Sequence, residues 1–412
     1  MSKLDNLTDF LTDVANAIRE KKGTADKINP QDFSEEISSI KTEIESLPVN
    51  DVTFYDYDGI VLYSYTKEEF LALTEMPPLP TRKGLICQEW NWDYQDAIDY
   101  VAEYGILDVG ATYITDDGKT RLYIEIIEGM PLETPLYFYQ SISKNVNIDW
   151  GDGSAIEQVE GTAYVNTSHK YNSYGKYMIT LEPLSSMTFR VGSGNASVNV
   201  FGDFTSVGFA NAIKLTKVEM GNYVEFITAG TFKNCRNLSS IVLPSNRITY
   251  NPECMRGGYL KHITFPKTTT IDYSQPFSEN VLKSVSVPNC NIKSDYFIAN
   301  NHALKRIIFP PLTSIITPYV AQICYSLLYV IIPKTVTEVK RGAFYSCYSV
   351  KFYDFSHLEA IPTLENVNAF SGITSNCKII VPDALYDEWI AATNWSTYAS
   401  YIIRKTDWDS QK

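Results

Sequence analysis

The stretch Leu304-Lys-Arg-Ile-Ile-Phe-Pro310 is one copy of a phrase that recurs through the second half of the chain. Each copy carries an apolar residue at its first and fourth positions and follows the previous copy after 22 or 23 residues. The copies begin at Leu215, Leu238, Leu260, Leu282, Leu304, Leu327 and Val350. A constant interval of this length is typical of a solenoid, in which each coil buries its apolar side chains against neighbouring coils. We therefore predict a repeat array that provides a binding surface and no catalytic pocket.

The composition narrows the class of protein. At 412 residues the chain is too long for one ordinary core, so several domains are expected. The net charge is -13, and the sequence shows no cluster of Lys and Arg of the kind that a phosphate-binding face needs, so we predict no nucleic-acid partner. No apolar run approaches about 18 residues, which predicts no membrane insertion. The polar, acidic start Met1–Asp9 lacks the pattern of a secretory signal.

The cysteines are predicted to be structural. Cys235, Cys324 and Cys347 each precede the first residue of a phrase by three positions, so they should stack in one buried column. Cys254 occupies a position where neighbouring repeats carry phenylalanine. The count is odd and no C-x-x-C motif occurs, so we predict no disulfide framework, no metal site and no cofactor.

The N-terminal segment, residues 1–48, is predicted to be helical. Its second helix carries apolar residues spaced 4, 3, 4 and 3 positions apart, which are Phe33, Ile37, Ile40, Ile44 and Leu47. This is a heptad seam, and isoleucine at both kinds of seam position favours three strands. We predict an attachment and oligomerisation segment that forms a homotrimer. An intramolecular hairpin with the first helix explains the same stripe.

Residues 49–130 are predicted to form a small α+β module. Two β-rich runs flank Tyr57-Asp58-Gly59, which indicates a hairpin, and Asp93–Tyr104 has the pattern of a short helix. A second hairpin is predicted over Thr112–Ile127 with Asp117-Gly118 at its turn.

Residues 131–190 are predicted to form a β-sandwich. The motifs are Asp149-Trp-Gly-Asp-Gly153, His169-Lys-Tyr171 and Tyr174-Gly-Lys-Tyr-Met-Ile-Thr-Leu181. They resemble the polycystic-kidney-disease (PKD) type of immunoglobulin-like domain. We expect Trp150 to fill the sandwich and Ile179 to point inward with Leu181. Asp149 and Asp152 could form a calcium pair, but turn chemistry explains both carboxylates without a metal.

Residues 191–412 are predicted to form the solenoid and its cap. The pattern Gly342-Ala-Phe344-x-x-Cys347-x-x-Val350 resembles the BspA-like leucine-rich repeats. After Val350 the spacing stretches, and Asp383–Thr393 has a helical pattern. Because a terminal repeat must present a polar face to water, we predict that this helix belongs to a C-terminal cap.

The order of these parts suggests a function by resemblance. The stretch Val14–Ile37 looks like the opening of many bacteriophage tail and fibre proteins, and the combination of parts is similar to phage virion and adhesion proteins. The resemblance implies a virion structural protein of a tail fibre, baseplate or head fibre. Residues 1–48 would bind other virion proteins, and the repeats would mediate host attachment. The alternative is an exported bacterial cell-surface adhesin with BspA-like repeats.

The candidate ligand-binding surface consists of tyrosines in the later repeats, namely Tyr325, Tyr329, Tyr345 and Tyr348. Amphipathic rings of this kind form contact surfaces for a host-cell glycan or protein. The alternative is that tyrosine only fills solvent-side strand and turn positions, which it favours. The carboxylates of the repeats share no column, so we predict that the protein is not an enzyme.

Overall fold

The structure is a computed structural model that describes residues 51–185, 187–203, 206–243, 249–250, 252–267, 271 and 274–411. The predicted helical segment at residues 1–48, with its seam from Phe33 to Leu47, lies outside the described residues. In the described part of the chain, no helix has both the length and the apolar character needed to cross a bilayer.

Residues 51–115, called the N-terminal module below, form a four-stranded sheet with two helices. The elements are β1 (Val52–Tyr55), β2 (Val61–Tyr65), α1 (Lys67–Leu71), β3 (Leu85–Trp90), α2 (Tyr94–Tyr104) and β4 (Leu107–Thr115). The strand order is β2-β1-β4-β3, and only β1 and β4 are parallel. The predicted hairpin at Tyr57-Asp58-Gly59 is confirmed, with Gly59 at a left-handed φ of 88°. The predicted helix after Asp93 is confirmed as α2, which ends in a left-handed cap at Gly105.

The second predicted hairpin, around Asp117-Gly118, is wrong. A turn does form there and leads into β5 (Thr120–Ile126). However, β4 pairs with β1 and β3, whereas β5 pairs with strands that come later in the chain. Nearly all residues of β4 are buried, while β5 buries alternate residues such as Leu122 and Ile124. Because the two strands suit different cores, the turn carries the chain from one sheet to the next.

Residues 120–191 build two sheets that face each other across one core. The strands after β5 are β6 (Glu133–Gln140), β7 (Val146–Asp149), β8 (Ala163–Lys170), β9 (Gly175–Pro183) and β10 (Phe189–Val191). One sheet contains β5, β9 and β7, and the other contains β10, β6 and β8. Ile179 and Leu181 point into the core, and Trp150 is 1% exposed. The PKD-like character of this sandwich and the predicted limits at residues 130 and 190 stay predictions, although strand pairing crosses both limits.

The repeat region continues both of these sheets. Its elements before the C-terminal helices are β11 (Val198–Asn199), β12 (Gly202–Asp203), α3 (Ser206–Ala212), β13 (Leu215–Glu219), β14 (Val224–Ile227), β15 (Ser240–Val242), β16 (Thr249–Tyr250), β17 (His262–Thr264), β18 (Ser284–Ser286), β19 (Arg306–Ile308), β20 (Ile315–Ile316), β21 (Tyr329–Ile331), β22 (Glu338–Val339), β23 (Phe352–Asp354), β24 (Thr363–Leu364) and β25 (Lys378–Val381). β13 pairs antiparallel with β5 and parallel with β15, while β14 pairs parallel with β10. The two facing sheets therefore cover the N-terminal end of the repeat core.

The predicted solenoid is confirmed, and equivalent residues of successive coils lie side by side. Ile307 pairs with Val330, Val330 pairs with Tyr353, and Tyr353 pairs with Ile379. These four residues are buried. The apolar positions of the phrase thus form continuous columns through the core, which is how a repeat of this length buries its apolar side chains.

The chain after β24 contains β25, several short helices and one further strand. They are the 3-10 helices Val367–Phe370, Asp383–Leu385 and Trp395–Tyr398, the α-helices α4 (Tyr386–Trp389) and α5 (Lys405–Asp409), and the strand β26 (Ile402–Arg404). The helical pattern predicted from Asp383 thus forms a 3-10 turn followed by α4. The rings of Trp389 and Trp395 pack on Phe355, with centroids 5.7 and 5.3 Å from it. The role of this region as the C-terminal cap stays a prediction.

The N-terminal module lies on the outward face of the repeat strands. In a strand whose central residue points into the core, the two neighbouring residues point outward. In β17, β18 and β19 all three residues are nevertheless buried. The module covers them: Gly110 lies against Thr264 of β17, Ser286 of β18 donates to the Asp108 carbonyl oxygen, and Ile308 of β19 belongs to the apolar core of the module. The outward strand face of these coils is therefore occupied by the protein itself.

Hydrogen bonds and close backbone approach fix this contact. Asn91 Nδ2 donates to the carbonyl oxygens of Phe265 and Ser286 at 3.0 and 3.2 Å. Trp92 Nε1 donates to the carbonyl oxygen of Val287 at 2.8 Å. A Cβ atom at position 110 would lie only 2.2 Å from Thr264 Oγ1, so Gly110 is needed for the module to sit this close to the repeats.

A buried ion pair crosses the same contact. Arg306 Nε donates to Asp108 Oδ2 at 3.0 Å, and Arg306 Nη2 donates to Asp108 Oδ1 and, at 3.1 Å, to Thr53 Oγ1. Burial alone would lower the pKa of Arg306, but the Asp108 carboxylate outweighs it and holds that pKa well above its ordinary value. Because both groups are charged and buried, removal of one leaves the other uncompensated.

Asp108→Asn is expected to lower the free energy of unfolding by about 3–5 kcal/mol, because Arg306 remains buried without a carboxylate. Urea denaturation of the full chain measures the change. Glu359→Gln, at an exposed position, is the matched control and is expected to stay within about 0.5 kcal/mol of the parent protein. If the two variants were equally stable, the ion pair would not be holding the module.

The contact also holds a buried histidine. The His262 ring stacks on Tyr55 of β1 with centroids 4.8 Å apart. Its Nδ1 lies 2.6 Å from Ser284 Oγ, and its Nε2 lies 2.9 Å from Thr264 Oγ1. Burial lowers the pKa of His262 to about 3. A histidine in the unfolded chain titrates near pH 6.5, so below that pH the unfolded state binds a proton that the folded state does not.

His262→Gln is therefore expected to reduce the acid sensitivity of folding. Between about pH 6.5 and pH 3, His262 removes about 1.4 kcal/mol of stability for each unit that the pH falls. The stability difference between pH 7 and pH 4.5 should be about 2–3 kcal/mol smaller in the variant. Urea denaturation at both pH values measures it, with His302→Gln at an exposed position as the control. An unchanged difference would show that His262 takes up a proton in the folded state.

Candidate functional site

The structure separates the four tyrosines that the sequence groups together. Tyr325, Tyr345 and Tyr348 lie on turns between strands and are 41–51% exposed. Tyr329 lies in β21 instead, where its ring stacks on Phe352 with centroids 5.4 Å apart and packs against the core of the N-terminal module. Tyr329 therefore belongs to the covered strand face.

An exposed stack of rings forms where the turns of successive coils align. The Tyr325 and Tyr348 rings are nearly parallel, at 10°, with centroids 5.6 Å apart. His302 continues the stack, with its ring centroid 4.7 Å from that of Tyr325. We call His302, Tyr325 and Tyr348 the aromatic ladder. Sequence reasoning missed His302, but the repeat interval contains the signal, because each ladder residue precedes the first residue of a phrase by two positions.

A second stacked pair lies six residues earlier in the same turns. The Tyr296 and Tyr319 rings are 4.7 Å apart, and the Arg341 guanidinium lies 6.0 Å from the Tyr319 ring. Both tyrosines have left-handed φ angles, 52° and 55°, which are uncommon for residues other than glycine. The next coil carries Gly342 at this position, where a Cβ atom would lie 2.2 Å from Tyr319 Cε1. The turn geometry is thus repeated from coil to coil and holds the rings in line.

The ladder rings present their edges and polar atoms to solvent. Tyr325 has a ring on each side, and Tyr348 packs against Gly372, where a Cβ atom would lie 2.7 Å from Tyr348 Cε1. Tyr348 Oη donates to Ser346 Oγ at 2.9 Å. Rings fixed in this way offer a large contact area at a low cost in side-chain entropy. The ladder can therefore contact a ligand through ring edges and hydroxyl groups.

A column of lysines runs beside the ladder. The residue that follows the first residue of a phrase is lysine at Lys261, Lys283, Lys305 and Lys351, and Lys378 has the same place after Cys377. We call these five residues the lysine column; Leu328 interrupts it. The backbone N–H groups of Lys283 and Lys378 donate to the carbonyl oxygens of Lys261 and Lys351 at 2.8 and 2.9 Å. The coils thus align in one row lysines that are far apart in sequence.

The cysteine thiols lie in the core of the repeats. The residues predicted to be buried are at most 3% exposed, and they are Cys235, Cys254, Cys324 and Cys347. Burial raises the pKa of the Cys347 thiol to about 12, so this thiol stays protonated near neutral pH. These cysteines therefore act as small apolar side chains, as predicted.

The carboxylates of Asp149 and Asp152, the possible calcium pair, each accept a backbone hydrogen bond within their own turn. Asp149 Oδ1 accepts a hydrogen bond from the Gly151 N–H at 2.9 Å, and Asp152 Oδ1 accepts one from the Ser154 N–H at 3.0 Å. Asp152 Oδ2 lies 2.7 Å from His169 Nε2. Turn chemistry thus accounts for these carboxylate oxygens without a metal.

Comparisons with known proteins identify the repeats. The family model for the BspA type leucine rich repeat region matches residues 202–327 and 291–387, in six copies. A leucine-rich repeat protein from Bacteroides ovatus is 25% identical over 39% of this chain and 48% of its own, with a TM-score of 0.30. A leucine rich cell surface protein from Faecalibacterium prausnitzii is 18% identical over 45% of this chain and 64% of its own, with a TM-score of 0.27.

This chain thus spans less than two thirds of either solved structure. No curated protein matches it. The family match covers the stretch in which the phrase recurs and the coils stack. Residues 202–387 therefore carry leucine-rich repeats of the BspA type.

Proposed function

We propose that this chain is a non-enzymatic adhesion protein that binds a host-cell glycan or protein through the turn edge of its repeats. The observation that carries the proposal is the coverage of the outward strand face. In β17, β18 and β19 that face is buried under the N-terminal module, so a ligand must bind elsewhere on these coils. The aromatic ladder and Tyr345 lie on exposed turns. Rigid aromatic side chains at such a surface are enriched in binding sites.

Of the two classes of adhesion protein considered, the BspA-type match favours an exported bacterial cell-surface adhesin. In such an adhesin the two facing sheets act as a PKD-like spacer, and they also cover the N-terminal end of the repeats. The short helices after β24 act as the C-terminal cap. The ligand-binding edge lies between these two ends.

A bacteriophage virion protein, such as a tail, baseplate or head fibre, is the second candidate. It is supported by the resemblance of the stretch Val14–Ile37 to the openings of phage tail and fibre proteins. The heptad seam from Phe33 to Leu47 would make this protein a homotrimer bound to other virion proteins. The number of chains in solution separates the two candidates.

The carboxylates of the repeats support a role without catalysis. Glu253 is held by Lys233, at 2.5 Å, and by Arg256. A cleft of about 460 Å³ next to the C-terminal helices contains two carboxylates, Glu338 and Glu365. Both approach Lys340 Nζ, at 2.5 and 3.7 Å. A glycan-cleaving site needs one carboxyl group that is free to give up or accept a proton, whereas these are engaged in ion pairs.

For the adhesin we expect one chain in solution, both for the full protein and for a version that starts at Val49. Light scattering after size exclusion measures the mass. Three copies of the full chain and one copy of the shortened chain would favour the virion protein, because only the seam would then hold the trimer.

The double variant Tyr325→Ala and Tyr348→Ala tests the ladder. We expect it to reduce binding of the fluorescently labelled full chain to cultured epithelial cells by about tenfold or more, since central aromatic residues carry much of the binding energy of an interface. Flow cytometry measures the binding. The control is Tyr174→Ala combined with Tyr223→Ala, which removes two other exposed tyrosines. Equal losses in the two double variants would contradict the assignment of the ladder.

A further inference from the structure

The lysine column carries positive charge, and its exposed lysines form no ion pair with the residues that the structure describes. Lys261, Lys283, Lys305 and Lys351 are exposed. Elsewhere in the repeats, lysines such as Lys233 and Lys340 form ion pairs with carboxylates. Within the described ranges, the four exposed lysines of the column form no ion pair and no side-chain hydrogen bond. The nearest ring contact is that of Lys261 Nζ, 5.9 Å from the centre of the Tyr259 ring.

Repulsion between lysines of neighbouring coils is expected to lower the stability of the free protein. Neighbouring coils are about 4.8 Å apart, and like charges opposite each other on adjacent strands repel. The chain has 48 acidic and 35 basic residues, so carboxylates are abundant. Even so, the other phrases carry Thr216, Ser239 or Leu328 at this position and never an acidic residue. An anionic chain that ran along the column would remove the repulsion.

We propose that the lysine column binds a linear anionic polysaccharide that carries sulfate or carboxylate groups along its length. The column is one lysine wide and runs along the coils in a row that Leu328 interrupts. Such a row matches a single extended polymer whose charges recur along one direction. This site goes beyond the proposed adhesion surface, because it uses a different set of residues and rests on charge rather than on the aromatic ladder.

The geometry favours a polysaccharide over a nucleic acid. Duplex DNA carries about one charge per 1.7 Å of helix axis, and its binding proteins neutralise many phosphates over a broad basic face. Single-stranded nucleic acids bind by stacking bases on free aromatic rings. The rings beside the column already stack on each other, from His302 to Tyr325 and from Tyr325 to Tyr348. A row of cations beside occupied rings provides ion pairing without base stacking.

The test measures binding of the full chain to immobilised heparin, which is sulfated, and to alginate, which is carboxylated, with neutral dextran as the blank. We expect binding to at least one of the two polyanions, and the preferred one identifies the anionic group. The variant replaces Lys261, Lys283, Lys305 and Lys351 by Gln. We expect its binding to be lost at 150 mM salt. The salt dependence of the logarithm of affinity should fall by about one unit for each lysine removed.

The matched control removes the same charge at other exposed positions, by replacing Lys83, Lys144, Lys170 and Lys176 with Gln. It is expected to bind as the parent protein does. The double variant Tyr325→Ala and Tyr348→Ala should also keep its polysaccharide binding, which separates this site from the adhesion surface. Circular dichroism confirms that each variant is folded. The proposal is overturned if neither polyanion binds, if the control loses binding equally, or if oligo(dT) binds through the same lysines as tightly as the polysaccharides.

Discussion

A coil of 22 or 23 residues cannot bury its own apolar side chains, and the rest of this structure depends on that constraint. Inner coils cover one another, as the row from Ile307 to Ile379 demonstrates. The first coil has no preceding repeat, so the chain supplies two facing sheets whose strands β5 and β10 pair directly with β13 and β14. The two facing sheets and the solenoid therefore share one apolar core. Segments that follow one another in the sequence thus pack around the same core.

The same principle governs the outward strand face. An exposed row of apolar residues would be a liability on a parallel sheet, and the N-terminal module covers Ile308 and Ile331. The buried pair of Asp108 and Arg306 adds geometric selectivity, because it is satisfied only when the module sits in one register on the coils. Covering this face removes it from ligand binding. The turn edges are then the parts of the coil on which exposed side chains can form rows.

The sequence predicted what depends on local pattern and missed what depends on stacking. The phrase interval predicted the buried columns, and the turn at Gly59 predicted a hairpin that forms. The turn at Gly118 has equally good local chemistry, but turn chemistry does not say which sheet the next strand joins. Tyr325 and Tyr329 are close in sequence yet lie on different faces, since a turn separates from a strand what the chain places side by side. No local signal reveals that Asn91 and Trp92 donate hydrogen bonds to repeat residues that lie 174 and 195 positions later in the chain.

Stacking also explains why the exposed surface is organised in rows. Each coil places a given position beside its equivalent in the next coil, so one residue type recurring at the repeat interval becomes a continuous line. The position two residues before the start of the phrase is occupied by His302, Tyr325 and Tyr348. The second position of the phrase is occupied by Lys261, Lys283 and Lys305. Such lines are one residue wide and several coils long. A compact ligand would touch only one or two members of a line, whereas an extended ligand would gain a contact from each coil. Several weak contacts along one ligand chain together give a higher affinity than any one of them. Rows of this kind therefore suit an extended partner better than a compact one.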